Sequence, residues 1–168
     1  MMKTPYRPIL HIPKTKMEKI CDIVGIGLFI LSNLFIIFQW SQIPDRIPGH
    51  FNAKGEVDRW GSKYELIILP FIGMFVLLLT SLFEKAPHMY NYPERINESN
   101  AEKFYLNSRK MLNIIKNICM ILFALINFQI VQIALGKTEF LWIWFIPGII
   151  VSLIITIGIG IYKQSKIK

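Results

Sequence analysis

Apolar residues along this chain fall into four long runs separated by polar stretches. The first runs from about Ile20 to Trp40, the second from Leu66 to Phe83, the third from Leu112 to Leu135 and the fourth from Phe140 to Tyr162. A hydrocarbon core about 30 Å thick needs roughly 20 helical residues, with about 17 at the low end. Each run meets that length, the second only just. Backbone polar groups in lipid must be satisfied within the segment, so each run is predicted to be a helix. The expected fold is all-α: a polytopic membrane protein, a four-transmembrane-helix bundle with a small extracellular loop cap. It forms a single membrane domain over residues 1–168, with spans at 20–40, 66–83, 112–135 and 140–162. The first run reads as a retained helix, because it exceeds the 7–15 apolar residues of a signal peptide and no small-x-small cleavage site follows it.

The polar stretches have their own patterns. Residues 1–19 hold Pro5, Pro8 and Pro13 among basic residues. They form an arm that either lies on anionic lipid or stays unstructured. Residues 41–65 read as a hairpin-like cap. Within it Asn52-Ala53-Lys54-Gly55 is a tight turn with positive φ at Gly55, and Asp58 is the expected cap as the chain enters helix two. In residues 84–111, Pro87 and Pro93 stop any helix. Ser99 and Glu102 then have capping-box spacing. A helix running unbroken from Asn100 to Leu135 would be roughly 54 Å long, so helix three is expected to project beyond the bilayer. Ala101, Phe104, Tyr105, Ser108, Met111 and Leu112 give that projection one helical face.

Composition agrees with a membrane class: 53% hydrophobic, 18% charged, mean hydropathy +0.43. The net charge of +8 does not point to nucleic acid, because the charges sit between apolar runs and at the ends. Counted by side, Lys and Arg divide 14 against 5. The richer side carries residues 1–19, 84–111 with the start of helix three as far as Lys116, and the tail 163–168, and the positive-inside rule makes it cytoplasmic. The expected location is therefore a bacterial plasma membrane, multi-pass, with both termini cytoplasmic and residues 41–65 outside. Trp40, Trp60, Trp142 and Trp144 all fall at the outer boundary, where amphipathic rings prefer to sit. Cys21 and Cys119 are expected to be free thiols.

Polar residues within the spans are few and costly. Asp22 and Asn33 share a face of helix one. Asn113, Asn117, Ala124 and Asn127 share a face of helix three, with Gln129 and Gln132 pointing elsewhere. Two readings stand: hydrogen bonding between helices, or a polar pocket or path. Lys116 is expected to snorkel to the interface. In helix four, Gly148, Ser152, Thr156 and Gly160 form a small-residue ridge for close approach of another helix, either within the chain or in a second copy.

Catalytic patterns are absent from the sequence. His11, His50 and His88 fall on different sides, and no metalloprotease, serine-hydrolase or P-loop motif occurs. No acidic pair lies deep in a span. No enzyme activity or cofactor is expected. Chemistry concentrates in the first loop, where His50, Asn52, Glu56, Asp58, Arg59, Trp60 and Lys63 are the candidate ligand-binding residues. His50 with Glu56 or Asp58 offers too few ligands to define a metal site. The other reading of these residues is that they hydrogen-bond the loop into a fixed shape.

Residues Ile47-Pro48-Gly49-His50-Phe51-Asn52 through Gly55, Asp58 and Trp60-Gly61-Ser62-Lys63 carry the pattern I-P-x-H-F-N-x-x-G-x-x-D-x-W-G-S-K. This resembles the signature of a widespread bacterial membrane domain of unknown function. Asn91-Tyr92-Pro93, Ile96 and Asn100 resemble the stretch before that family's third helix. The same domain forms the N-terminal part of SdpI-like proteins, which give immunity to a secreted toxic peptide and signal its presence. The resemblance implies a binding or signalling module: the outer loop contacts a peptide ligand, and the cytoplasmic face meets a protein partner. The alternatives from other classes are a small transporter or channel component, acting as a homodimer through the helix-four ridge, and a membrane enzyme using His50.

Overall fold

The computed structural model describes residues 7–168, so Lys3 and Pro5 of the arm lie outside the described residues. Four helices long and apolar enough to cross a membrane are present, as the hydrophobic runs predict. Helix α1 spans Lys16–Gln39. Strands β1 (Arg46–Phe51) and β2 (Val57–Ser62) follow as an antiparallel hairpin. A 3-10 turn (Lys63–Ile67) leads into α2, Ile68–Lys85. Helix α3 spans Ala101–Ala134 and α4 spans Phe145–Ser165.

Helix α3 is the shared neighbour of α1, α2 and α4. It is 34 residues long, roughly 51 Å at 1.5 Å per residue. The extra length does not stand free. Ala101, Phe104 and Tyr105 are fully buried under Ile96 and Tyr92, the arm residues Leu10 and Ile12, and Ile167 beyond α4. Arg95 fastens the end of α4 by donating to the carbonyls of Gln164 (2.8 Å) and Ile167 (3.1 Å). Outward faces remain apolar, as in Phe71, Phe75, Leu78 and Leu82 of α2 and Ile150, Ile154 and Ile161 of α4. Such a belt is the expected surface of a helix facing acyl chains.

Several boundaries differ from the sequence reading. Helix α4 begins five residues after Phe140, because residues 135–144 are drawn across the hairpin. Leu141 N–H donates to the Gly55 carbonyl (2.9 Å) and Trp142 N–H to Gln129 Oε1 (2.8 Å). Gly55 has φ +82°, and a Cβ there would meet the Leu141 carbonyl. The tight turn is thus a docking point as well as a reversal.

The capping residues also differ. Asp58 does not cap helix two. Ser62 instead caps the 3-10 turn that leads into it, with Glu65 reaching back to the Ser62 N–H (3.1 Å), and α2 itself starts with no side-chain cap. Ser99 does not cap α3 either, since Asn97 Oδ1 takes both its N–H (2.9 Å) and its hydroxyl (2.7 Å). The helix starts after Asn100 with no side-chain cap.

The basic arm is attached to the bundle over its described part. Arg109 donates to the carbonyls of Ile12 and Pro13, and Thr15 forms a capping box with Glu18 at the start of α1. Within the chain, the helix-four ridge is in close contact at its Gly160 end. A Cβ on Gly160 would collide with Met111, whereas Gly148 has open space around it and Ser152 is exposed.

Candidate functional site

Polar groups gather at the two ends of the bundle. At the arm end, four charged side chains from four segments meet. Lys116 Nζ of α3 lies 2.8 Å from Asp22 Oδ1 of α1 and 2.7 Å from Glu84 Oε1 of α2. Lys14 Nζ of the arm lies 2.6 Å from Asp22 Oδ2 and 2.6 Å from Glu84 Oε2. Two ammoniums and two carboxylates alternate around this box, so its formal charge is zero. Asn113 Nδ2 donates to both carboxylates (2.8 and 3.0 Å), and Asn117 Nδ2 to Asp22 Oδ1 (2.9 Å). One turn of α1 toward the arm, Arg109 pairs with Glu18 at 2.8 and 3.1 Å.

Lys116 therefore does not snorkel: only 1% of its side chain is exposed. Two carboxylates within reach hold it inside. Glu84, placed by sequence in the loop, is buried in α2, so an acidic pair does converge between the spans, each member neutralised. Burial opposes the charge of Lys14, but its hydrogen bonds to Asp22 and Glu84 outweigh that effect and raise its pKa. Sequence reasoning found Asp22, Asn113 and Asn117 and missed Lys14, Glu18, Glu84 and Arg109. The Thr15-x-x-Glu18 capping box was the available local signal for where the arm turns inward.

The polar path imagined along α3 is interrupted. Asn33 Nδ2 turns back to its own helix at the Phe29 carbonyl (2.6 Å). Between Asn117 and Asn127, α3 presents Met120 and Ala124, both buried, beside Phe29 and Phe123.

At the hairpin end, most of the candidate loop residues are engaged with one another. His50 Nδ1 lies 2.6 Å from Asp58 Oδ1. Asn52 closes the turn, its Oδ1 accepting from Lys54 and Glu56 N–H and its Nδ2 donating to Glu56 (2.6 Å). Arg59 donates to Glu65 (2.9 Å) and the Gly49 carbonyl (2.6 Å). Hydrogen bonding to Glu65 raises the Arg59 pKa further. Lys63 points inward, onto the carbonyls of Trp40 and Ile43 (3.3 and 3.4 Å) and over the Trp40 ring. Trp60 stays half exposed on β2. Among the described residues, no three His, Cys, Asp or Glu side chains converge as a metal site.

Beneath the hairpin lies a groove of about 410 Å³ between β1, α2 and α3. Its walls include Leu66, Leu69, Ile126 and Ile130, and His50, Arg59 and Glu65 stand at its edge. Asn127 of α3 also lines it. That side chain is fully buried, and neither its amide nitrogen nor its oxygen has a partner among the described residues. A buried polar group left unmatched costs about 1–3 kcal/mol.

These features define a membrane-type helical protein with a small ordered hairpin at one end of four apolar helices. Residues 27–74 match a family described as "Domain of unknown function (DUF1648)". The matched stretch contains the hairpin and its supports on α1 and α2. An uncharacterised protein of Archaeoglobus fulgidus is 37% identical over 82 residues, which is 46% of this chain and 42% of that protein. The matched region thus spans less than half of that relative's length. No solved structure matches the chain.

Proposed function

We propose that this protein is a binding or sensing component of a bacterial plasma membrane, and that the groove beneath the hairpin captures an apolar peptide segment from outside the cell. The orphaned Asn127 amide is the observation that carries this reading. A backbone peptide group presents one acceptor and one donor in the geometry that a side-chain amide matches, and the flanking walls suit apolar side chains. Ligand sites commonly combine an apolar lining with a few convergent polar groups in a volume of about 300–1,000 Å³. Both termini face the cytoplasm in this reading, on the 14-to-5 division of Lys and Arg. The likeness of the loop signature to SdpI-like proteins supports immunity or signalling as the biological use, with a cytoplasmic partner at the arm end. Binding is favoured over transport because the apolar layer of Phe29, Met120 and Ala124 lies between the two polar regions. Among the described residues, the hydrogen bond made by the His50 ring runs to Asp58 and not to a serine, threonine or cysteine.

The test uses the full chain in lipid nanodiscs, titrated with blocked pentapeptides of Leu and Val while tryptophan fluorescence is followed. Saturable binding that is lost in Asn127→Leu supports the reading, and no saturable change in the unaltered chain overturns it. Immunity is tested separately. Cells lacking the protein should become more sensitive to a secreted toxic peptide, and unchanged sensitivity across a panel removes that use.

A further inference from the structure

The cleft between α1 and α4 at the arm end differs from the neutral box beside it. It has a volume of about 310 Å³ and is walled by apolar side chains that include Ile114, Ile155 and Ile159. All three are more than one-third exposed, so the cleft opens toward the lipid side of the bundle. Lys110 of α3 and Lys163 of α4 also line it, and among the described residues neither has a carboxylate partner. The one acid in the lining is Glu18, whose charge is already matched by Arg109. The cleft therefore keeps an excess of positive charge at one end of an apolar wall.

Its shape is held by close helix contact. Gly160 brings α4 against Met111 of α3, and Asn107 Nδ2 donates to the Gly160 carbonyl (2.9 Å). Lys163 follows Gly160 by three residues and so projects from the same side of α4. An uncompensated ammonium pair where a span meets water, with an unfilled apolar channel leading away along the helices, matches one membrane constituent. A glycerophospholipid with a net negative headgroup presents phosphate and acyl chain in that same order, and basic pockets between spanning helices suit such headgroups.

We propose that an anionic phospholipid occupies the α1–α4 cleft. Its phosphate sits between Lys110 and Lys163, and one acyl chain lies against Ile114, Ile155 and Ile159. Lys14 and Lys116 take no part, because Asp22 and Glu84 already neutralise them. This site is independent of the groove under the hairpin and of the orientation of the chain.

Native mass spectrometry of the full chain in dodecyl maltoside, with dioleoylphosphatidylglycerol or dioleoylphosphatidylcholine added, tests it. A cation near an anionic lipid contributes about 1 kcal/mol, so two predict a preference for phosphatidylglycerol of roughly thirtyfold. Lys110→Gln/Lys163→Gln should abolish the preference. Lys85→Gln/Lys137→Gln removes the same charge elsewhere and should preserve it. Equal loss in both double variants, or no preference in the unaltered chain, overturns the proposal. Glycerol 3-phosphate at the lipid's own concentration should not displace the bound lipid. Full displacement would show that the site reads phosphate alone and would overturn the lipid assignment.

Discussion

The two ends of the bundle treat buried polar groups in opposite ways. At the arm end, every charge in the box has two opposite partners, and Asn113 and Asn117 donate to the carboxylates, with Asn117 Oδ1 the one amide oxygen there left unmatched among the described residues. At the hairpin end, Asn127 is buried with neither amide atom matched, next to a cavity. A charge-balanced network closes a structure, since removing a fully buried member such as Lys116 leaves another charge buried and alone. An unsaturated group beside open space has the opposite character, being costly until something binds. The box therefore reads as the clasp that fixes α1, α2, α3 and the arm, and the groove as the place with unused interaction energy.

Lys116→Met is the most damaging way to break this contrast. It leaves two buried carboxylates sharing Lys14, and the expected loss is about 3–5 kcal/mol, read as a fall in the thermal midpoint in detergent. Lys116→Met/Glu84→Gln should recover much of the loss, because the charges again balance. A midpoint unchanged in the single variant would remove the clasp reading.

Next in size is Gly25→Ala. A Cβ there would collide with the Asn117 side chain and displace it from Asp22, at a cost of about 1–3 kcal/mol. Gly27→Ala, where nothing lies within 4 Å, should be neutral or slightly stabilising. Equal behaviour of the two variants in the same melt would contradict the packing described.

Paired substitutions of asparagine sharpen the comparison further. Asn113→Leu should destabilise, since it strips donors from Asp22 and Glu84. Asn127→Leu should stabilise by about 1 kcal/mol, read as a higher midpoint, because it deletes an unmatched amide. Two changes of the same sign would show that the ends are alike after all.

Lys14→Met has the smallest expected effect, below about 1 kcal/mol, because its side chain is 35% exposed and exposed pairs contribute little. Its signature is release of the arm, seen as faster trypsin cleavage at Lys16. Raising pH should do the same. The Lys14 pKa is raised on folding, so its contribution is complete below the ordinary value of 10.5 and disappears as pH climbs through the raised one. A spin label at Ile9 should gain mobility only in that alkaline range.

Local patterns explain which parts were legible. Outside helix interiors, the S/T-x-x-E pattern occurs at Thr15, Ser62 and Ser99. Two of these cap helices, and the third is pre-empted by the Asn97 side chain. The pattern alone does not distinguish them, because the competitor is a neighbouring side chain with the same hydrogen-bonding ability. Likewise, Asn52 and Lys63 stand in the sequence among the candidate ligand-binding residues of the loop, and in the structure Asn52 closes the turn and Lys63 fastens the loop to the end of α1.

Four apolar runs of sufficient length, a turn requiring Gly55 and an overlong third helix follow from the sequence by itself. Each depends on chain-local physics: hydrocarbon thickness, backbone hydrogen bonding and permitted φ. Only tertiary structure decided that Lys14, Asp22, Glu84 and Lys116 form one neutral box while Asn127 goes unmatched. A buried polar group's cost is settled by partners brought from distant segments, and those partners leave no local trace.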